Sequence, residues 1–135
     1  MAGVTLDTNI YVSALEFGGI GARLLGMARA GNFRLDVSDA ILNELVTVLR
    51  DDFHWDGYRL QFGRQGIAGV ANHVTPTQTL NVIKEDPDDN RILECAVAAG
   101  SDVIITYDKD LLRLGEYEGI KILKAEDFLR RGIER

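Results

Sequence analysis

The sequence predicts an α/β fold, a parallel sheet whose strands are joined by crossover helices. Three observations predict it. Apolar runs of strand length alternate with stretches of helical period, glycine and serine punctuate the boundaries, and acidic residues recur just beyond the ends of the apolar runs.

Val4-Thr5-Leu6 is the first run and ends at Asp7. Ala22, Leu24, Leu25, Met27 and Ala28 then suit a helix, with Gly31 placed as its stop. A second strand, Phe33 to Val37, ends at Ser38, which reads as an N-cap with Asp39 in the first turn. Ile41, Leu45, Val48 and Leu49 follow at i, i+4, i+7 and i+8, the stripe of a helix packed by one face. From His54 to His73 the period weakens; Tyr58, Phe62, Ile67, Val70 and Ala71 suggest one or two helices interrupted by Gly63, Gly66 and Gly69. A third strand is expected at Leu80-Asn81-Val82-Ile83. The acidic stretch Lys84 to Asp89 then opens a helix from Asn90 to Ala99, with Pro87 in its first turn and Gly100 at its close. Strand four, Asp102 to Thr106, leads to Asp108 and a short helix around Leu111-Leu112. A fifth strand, Ile120 to Leu123, and a helix around Phe128-Leu129 complete the order.

Length and composition narrow the functional classes. A chain of 135 residues suits one domain, 1–135, that buries about two-thirds of its unfolded surface. Its hydrophobic fraction of 46% and charged fraction of 27% are those of a soluble protein, and no apolar run reaches the roughly 20 residues of a membrane helix. No basic region precedes an apolar stretch at the N-terminus, so a cytoplasmic location is expected. Cys95 is the sole cysteine and only His54 and His73 accompany it, which excludes an internal disulfide and a Cys/His zinc set. The formal charge of −6 argues against a broad basic surface for nucleic acid, because phosphate affinity comes largely from Lys and Arg. A cation held by several acids would reverse that balance locally.

The acids have the positions for such a site. In an open parallel sheet, groups beyond the carboxyl ends of the strands share one crevice. Asp7 follows strand one, Glu44 lies within two turns of the helix after strand two, Asp86, Asp88 and Asp89 precede the helix after strand three, and Asp108 follows strand four. Taken singly, Asp39, Asp86, Asp88 and Asp108 are helix caps, and Glu44 a solvated helix residue. Glu44, however, adjoins the apolar stripe, and Asp7 ends a strand that should be central and buried. Carboxylates crowded together repel unless protons or a metal intervene. Oxygen ligands without His or Cys select hard cations, so Mg²⁺ or Mn²⁺ is expected, and the chemistry such a site suits is phosphodiester hydrolysis.

Four segments in order resemble the PIN-domain nucleases, and within them the VapC-like toxin components of toxin–antitoxin pairs. Leu6 to Leu15 is similar to the family's opening strand with its first aspartate, Asp7, and the polar Asn9. Ser38 to Leu45 is similar to the second motif, carrying Glu44. Asp86 to Ala96 resembles the third, with Asp89 placed by Ile92 and Ala96, and Ile104 to Leu112 the fourth, with Thr106, Asp108 and the helper Asp110. The resemblance implies a three-layer α/β/α arrangement around about five parallel strands. It also implies a Mg²⁺ or Mn²⁺ site, endonucleolytic cleavage of RNA leaving a 5′-phosphate, homodimers, and inhibition by a cognate antitoxin. On this reading Asp7, Asp89 and Asp108 contact the metal, Glu44 binds a second ion or orients the attacking water, and Asn9, Thr106 and Asp110 position them. Lys109, Arg23, Trp55 and Tyr58 read as surface charge or packing rather than substrate contacts. A dehalogenase-type phosphotransferase would need an aspartate where Asn9 stands. Two rivals survive: a catalytically silent PIN-like module that binds a protein partner, and a housekeeping RNA-processing nuclease.

Overall fold

The computed structural model describes residues 1–131, so the last four residues of the expected 1–135 domain lie outside it. The chain runs β1 (Gly3–Leu6), α1 (Thr8–Glu16), α2 (Gly19–Arg29), β2 (Arg34–Ser38), α3 (Asp39–Asp51), α4 (Gly57–Ala68), β3 (Asn72–Val74), α5 (Asp89–Ala99), β4 (Val103–Ile105), α6 (Lys109–Leu114), β5 (Glu116–Tyr117), β6 (Ile120–Leu123) and α7 (Ala125–Arg131). The sheet order is β3-β2-β1-β4-β6-β5. Five strands are parallel, and the short edge strand β5 pairs antiparallel with β6. With helices flanking a mostly parallel sheet, this is the α/β architecture expected.

Chain order reverses at β1, whose neighbours are β2 on one side and β4 on the other. The carboxyl ends of β1 and β4 therefore border the crevice where open parallel sheets bind ligands. Strand β1 is buried at every residue, as a central strand requires. Register places Leu6 beside Ile105, and the Asp7 N–H donates to the Ile105 carbonyl at 2.9 Å, which carries the pairing one residue past the strand.

Helix boundaries follow local chemistry. Ser38 Oγ accepts from the Ile41 N–H and caps α3. Gly31 at φ 81° and Gly100 at φ 67° take the left-handed conformation that ends α2 and α5. The weak-period segment resolves into one helix, α4, with Ile67 as its buried residue.

Two elements depart from expectation. Helix α1 was legible only as the end of an apolar strand motif, because Thr8, Ile10, Tyr11, Val12 and Ala14 are all buried and an apolar helix enclosed on most sides shows no stripe. The expected third strand, Leu80 to Ile83, is irregular, and the third strand is Asn72–Val74 instead. The reason is a set of side chains on α5. Asn90 Oδ1 accepts from the N–H groups of Val82 and Ile83, both at 2.9 Å, and its amide donates to the carbonyls of Ile83 and Pro87. Glu94 accepts from the Leu80 N–H at 2.7 Å, while Arg91 donates to the Leu80 carbonyl. Backbone groups that a ladder would have used are already satisfied. Among the described residues no helix is long and apolar enough to cross a membrane.

Candidate active site

Asp7 stands where β1 gives way to α1, in the N-cap position of that helix. Its carboxylate makes no capping bond; Oδ2 instead accepts from the Thr106 hydroxyl at 2.6 Å. Thr106 Oγ1 in turn accepts from the Asp108 N–H at 2.9 Å. A single buried hydroxyl thus ties the acid after β1 to the backbone of the acid after β4. Asp108 divides its oxygens: Oδ1 accepts from the N–H groups of Asp110 and Leu111 and caps α6, which leaves Oδ2 for the crevice.

Asp89 begins α5 and is buried, and its Oδ2 has no hydrogen-bond partner. Carboxylate oxygens of Asp86, Asp89 and Asp108 lie within 4.8 Å of one another. A buried carboxylate oxygen without a donor is costly, and like charges at this spacing add to the cost. Burial, the close approach of the Asp108 carboxylate and the charges of Asp108, Asp86 and Asp7 together push the Asp89 carboxyl up to about 8. Asp7 is also raised, by burial first and by the Asp108 charge, while the Thr106 hydrogen bond opposes the shift. Glu44, half-buried on α3, is raised by burial and then by the charges of Asp7, Asp88 and Asp86. The buried Thr8 hydroxyl nearby pulls Glu44 the other way but forms no well-aligned hydrogen bond.

The arrangement fits a hard divalent cation. Its donors are all carboxylate oxygens, one of them is orphaned and buried, and a bound cation would displace the proton that burial and repulsion favour on Asp89. Of the acids expected from the sequence, Asp89 and Asp108 lie in this group, Asp7 is tied to the Asp108 backbone through Thr106, and Glu44 is linked to it only by the charges of Asp7, Asp88 and Asp86. Asp86, one of the three aspartates expected ahead of α5, lies in the group beside Asp89, the aspartate that the spacing to Ile92 and Ala96 singles out. Asp88 occupies the position before α5 and makes no capping bond. Asn9 is exposed on the first turn of α1, and Asp110 pairs with Arg113 at 3.3 Å on α6. Trp55 is buried, donates to Glu16 at 2.7 Å and carries the Arg59 guanidinium 3.8 Å from its ring centre, so it serves packing, whereas Tyr58 is exposed. Lys109 and Arg23 are exposed.

No curated protein sequence matches the chain. Among solved structures, the crystal structure of VapBC2 from Rickettsia felis bound to a DNA fragment from their promoter is similar in fold. Its TM-score is 0.64 at 15% identity, over 89% of this chain and 96% of that one. The family model of the PIN domain matches residues 3–110, a stretch that runs from β1 into α6 and includes every carboxylate of the crevice. By that match, the chain belongs to the PIN-domain family.

Proposed function

We propose that the chain is a divalent-metal-dependent endoribonuclease, the toxin of a toxin–antitoxin pair acting in the cytoplasm. The observation that carries this reading is the buried, unpartnered oxygen of Asp89 within a ring of carboxylates at the sheet's switch point. A site of this charge repels a phosphodiester, so a bound cation would be a condition for substrate binding.

Asp89, Asp108 and Asp86 would hold the cation, with Asp7 contacting it directly or through water. Bound Mg²⁺ or Mn²⁺ supplies Lewis acidity at the phosphoryl oxygens and acidifies water. Asp7 is kept in place by the Thr106 hydroxyl, and Asp108 by the amides of α6. Glu44, with its carboxyl raised by burial and by Asp7, orients the attacking water and takes its proton. Attack at phosphorus breaks the bond to the 3′-oxygen, which takes a proton from solvent, leaving a 3′-hydroxyl and a 5′-phosphate. Asn9 and Asp110 are the positioning residues that complete this reading. The toxin assignment draws on the VapC-like motifs and on the likeness of fold to VapBC2; a cognate antitoxin and a homodimeric state go with it.

The test is cleavage of a labelled single-stranded RNA panel with Mg²⁺, Mn²⁺ or EDTA, beside Asp7→Asn and Asp108→Asn. Metal-dependent cutting that both variants lose is expected. No cutting on any RNA, with no metal-induced rise in melting temperature, would leave the silent binding module as the better reading. Growth arrest on induction of the wild type, relieved by a neighbouring reading frame, separates toxin from housekeeping nuclease.

A further inference from the structure

Tyr107 lies between Thr106 and Asp108, at the carboxyl end of β4, and is 45% exposed. Of the large hydrophobic side chains exposed among the described residues, the others are Met1, Phe17, Tyr58 and Phe62, none of which neighbours the acid cluster in the chain. Consecutive Cα atoms are about 3.8 Å apart, so the Tyr107 backbone is as close to Asp108 as covalent geometry allows. The residue is fixed on both sides. The Thr106 N–H donates to the Leu123 carbonyl at 3.0 Å, and the Asp108 N–H donates to Thr106 Oγ1 at 2.9 Å. Its own hydroxyl donates to Glu126 Oε1 at 2.7 Å, at the start of α7 on the same edge of the sheet.

A half-exposed aromatic ring anchored in this way has little conformational freedom to lose on binding, the condition under which stacking gives its full affinity. The molecule also needs affinity that does not come from charge. Its net charge is −6, and the crevice is lined by carboxylates, so phosphate contacts are scarce. We infer that the Tyr107 ring is a stacking platform for the base of the nucleotide beside the scissile phosphate, and so a specificity-determining contact for single-stranded RNA. This rests on the ribonuclease reading. The tie to Glu126 could instead serve only to moor α7, and the two roles separate by substitution. Tyr107→Phe breaks the tie but keeps the ring, whereas Tyr107→Ala removes both.

The experiment measures KM and kcat for wild type, Tyr107→Ala and Tyr107→Phe on a short single-stranded RNA with a mapped cleavage position. The same RNA carrying an abasic nucleotide on either side of the cut bond is run in parallel. Tyr107→Ala should raise KM about tenfold at nearly unchanged kcat, the loss of one stacked base, and Tyr107→Phe should stay within about twofold of wild type. One abasic RNA should cost the wild type the same factor and cost Tyr107→Ala nothing further. Losses that multiply, an equal defect in Tyr107→Phe, or no change in KM for Tyr107→Ala would each overturn the stacking role while leaving the ribonuclease reading intact. A wild type that cuts no RNA overturns both.

Discussion

Asp89 holds its proton at neutral pH in the metal-free protein because it is buried beside Asp108, Asp86 and Asp7. That fixes the direction of a pH effect on stability. The group titrates near its ordinary 3.8 when unfolded and about 8 when folded, so between these values the native state carries the extra proton. Stability from this group is therefore fully present below about pH 4 and is lost as the pH rises through 8. Asp7 and Glu44, raised for the same reason, act in the same sense. Thermal melts in EDTA across pH 4 to 9 should show wild type losing ground to Asp89→Asn as pH rises; parallel curves would contradict the assigned burial and repulsion. Thr106 offers a second residue-level outcome. Its hydroxyl is buried, donates to Asp7 and accepts from Asp108, so Thr106→Val keeps the shape and removes both bonds. A cost of about 1–3 kcal/mol in denaturant unfolding is expected, with metal affinity down about tenfold or more. Unchanged metal-dependent melting shifts would show that Asp7 holds its position without it.

At the scale of elements, the segment from Leu80 to Pro87 depends on α5 rather than on the sheet. Asn90 is buried and makes four hydrogen bonds to that segment, which delivers Asp86 to the crevice. Asn90→Ala should cost about 2–4 kcal/mol, the unmade bonds of a buried backbone, and should open the segment to limited proteolysis. Cleavage no faster than in wild type would contradict the clamp. Gly21 sits at the crossing of α1 and α2, where an added Cβ would come 2.8 Å from the Ile10 carbonyl and 3.0 Å from the Ala14 Cβ. Gly21→Ala should therefore destabilise by about 1–3 kcal/mol despite alanine's better helix propensity; a gain in melting temperature would refute the close crossing. These elements also mark how far the sequence could be read. Helix α3 was legible because one face is apolar and Ser38 caps its start, and helix α5 because Pro87 stands at its opening and Gly100 closes it. Asp7, Asp89 and Asp108 were legible because each follows a strand or opens a helix there, and Glu44 because it adjoins the apolar stripe of α3, which are one-dimensional facts. The irregular course of Leu80 to Ile83 was not, nor was the choice of Asp86 over Asp88 as the neighbour of Asp89 and Asp108, for a shared reason. An apolar run reads as a strand until long-range side-chain bonds claim its backbone, and which aspartate of a run turns inward is decided by that same fold-back.

For the whole molecule, electrostatics is the term that ligand binding changes most. The chain carries −6, and Asp7, Glu44, Asp86, Asp88, Asp89 and Asp108 are gathered at one edge of the sheet, where no buried cation among the described residues balances them. Arg34 pairs with Asp36 on β2, Arg91 with Glu94, and Arg113 with Asp110, so several arginines are already committed to other carboxylates. Folding must therefore concentrate negative charge that the unfolded chain disperses, and a divalent ion that binds only the folded state stabilises by mass action. At a concentration of one hundred times Kd, the gain is about 2.7 kcal/mol. Magnesium or manganese should raise the melting temperature of wild type at neutral pH by several degrees, while equal ionic strength supplied as NaCl should raise it much less. Asp108→Asn and Asp89→Asn should lose the divalent increment yet melt no lower than wild type in EDTA, because the first removes a neighbouring carboxylate and the second removes the proton uptake that Asp89 demands on folding at neutral pH. If NaCl matches magnesium, or if both variants keep the full divalent shift, the carboxylate ring acts as diffuse surface charge and holds no ion of its own.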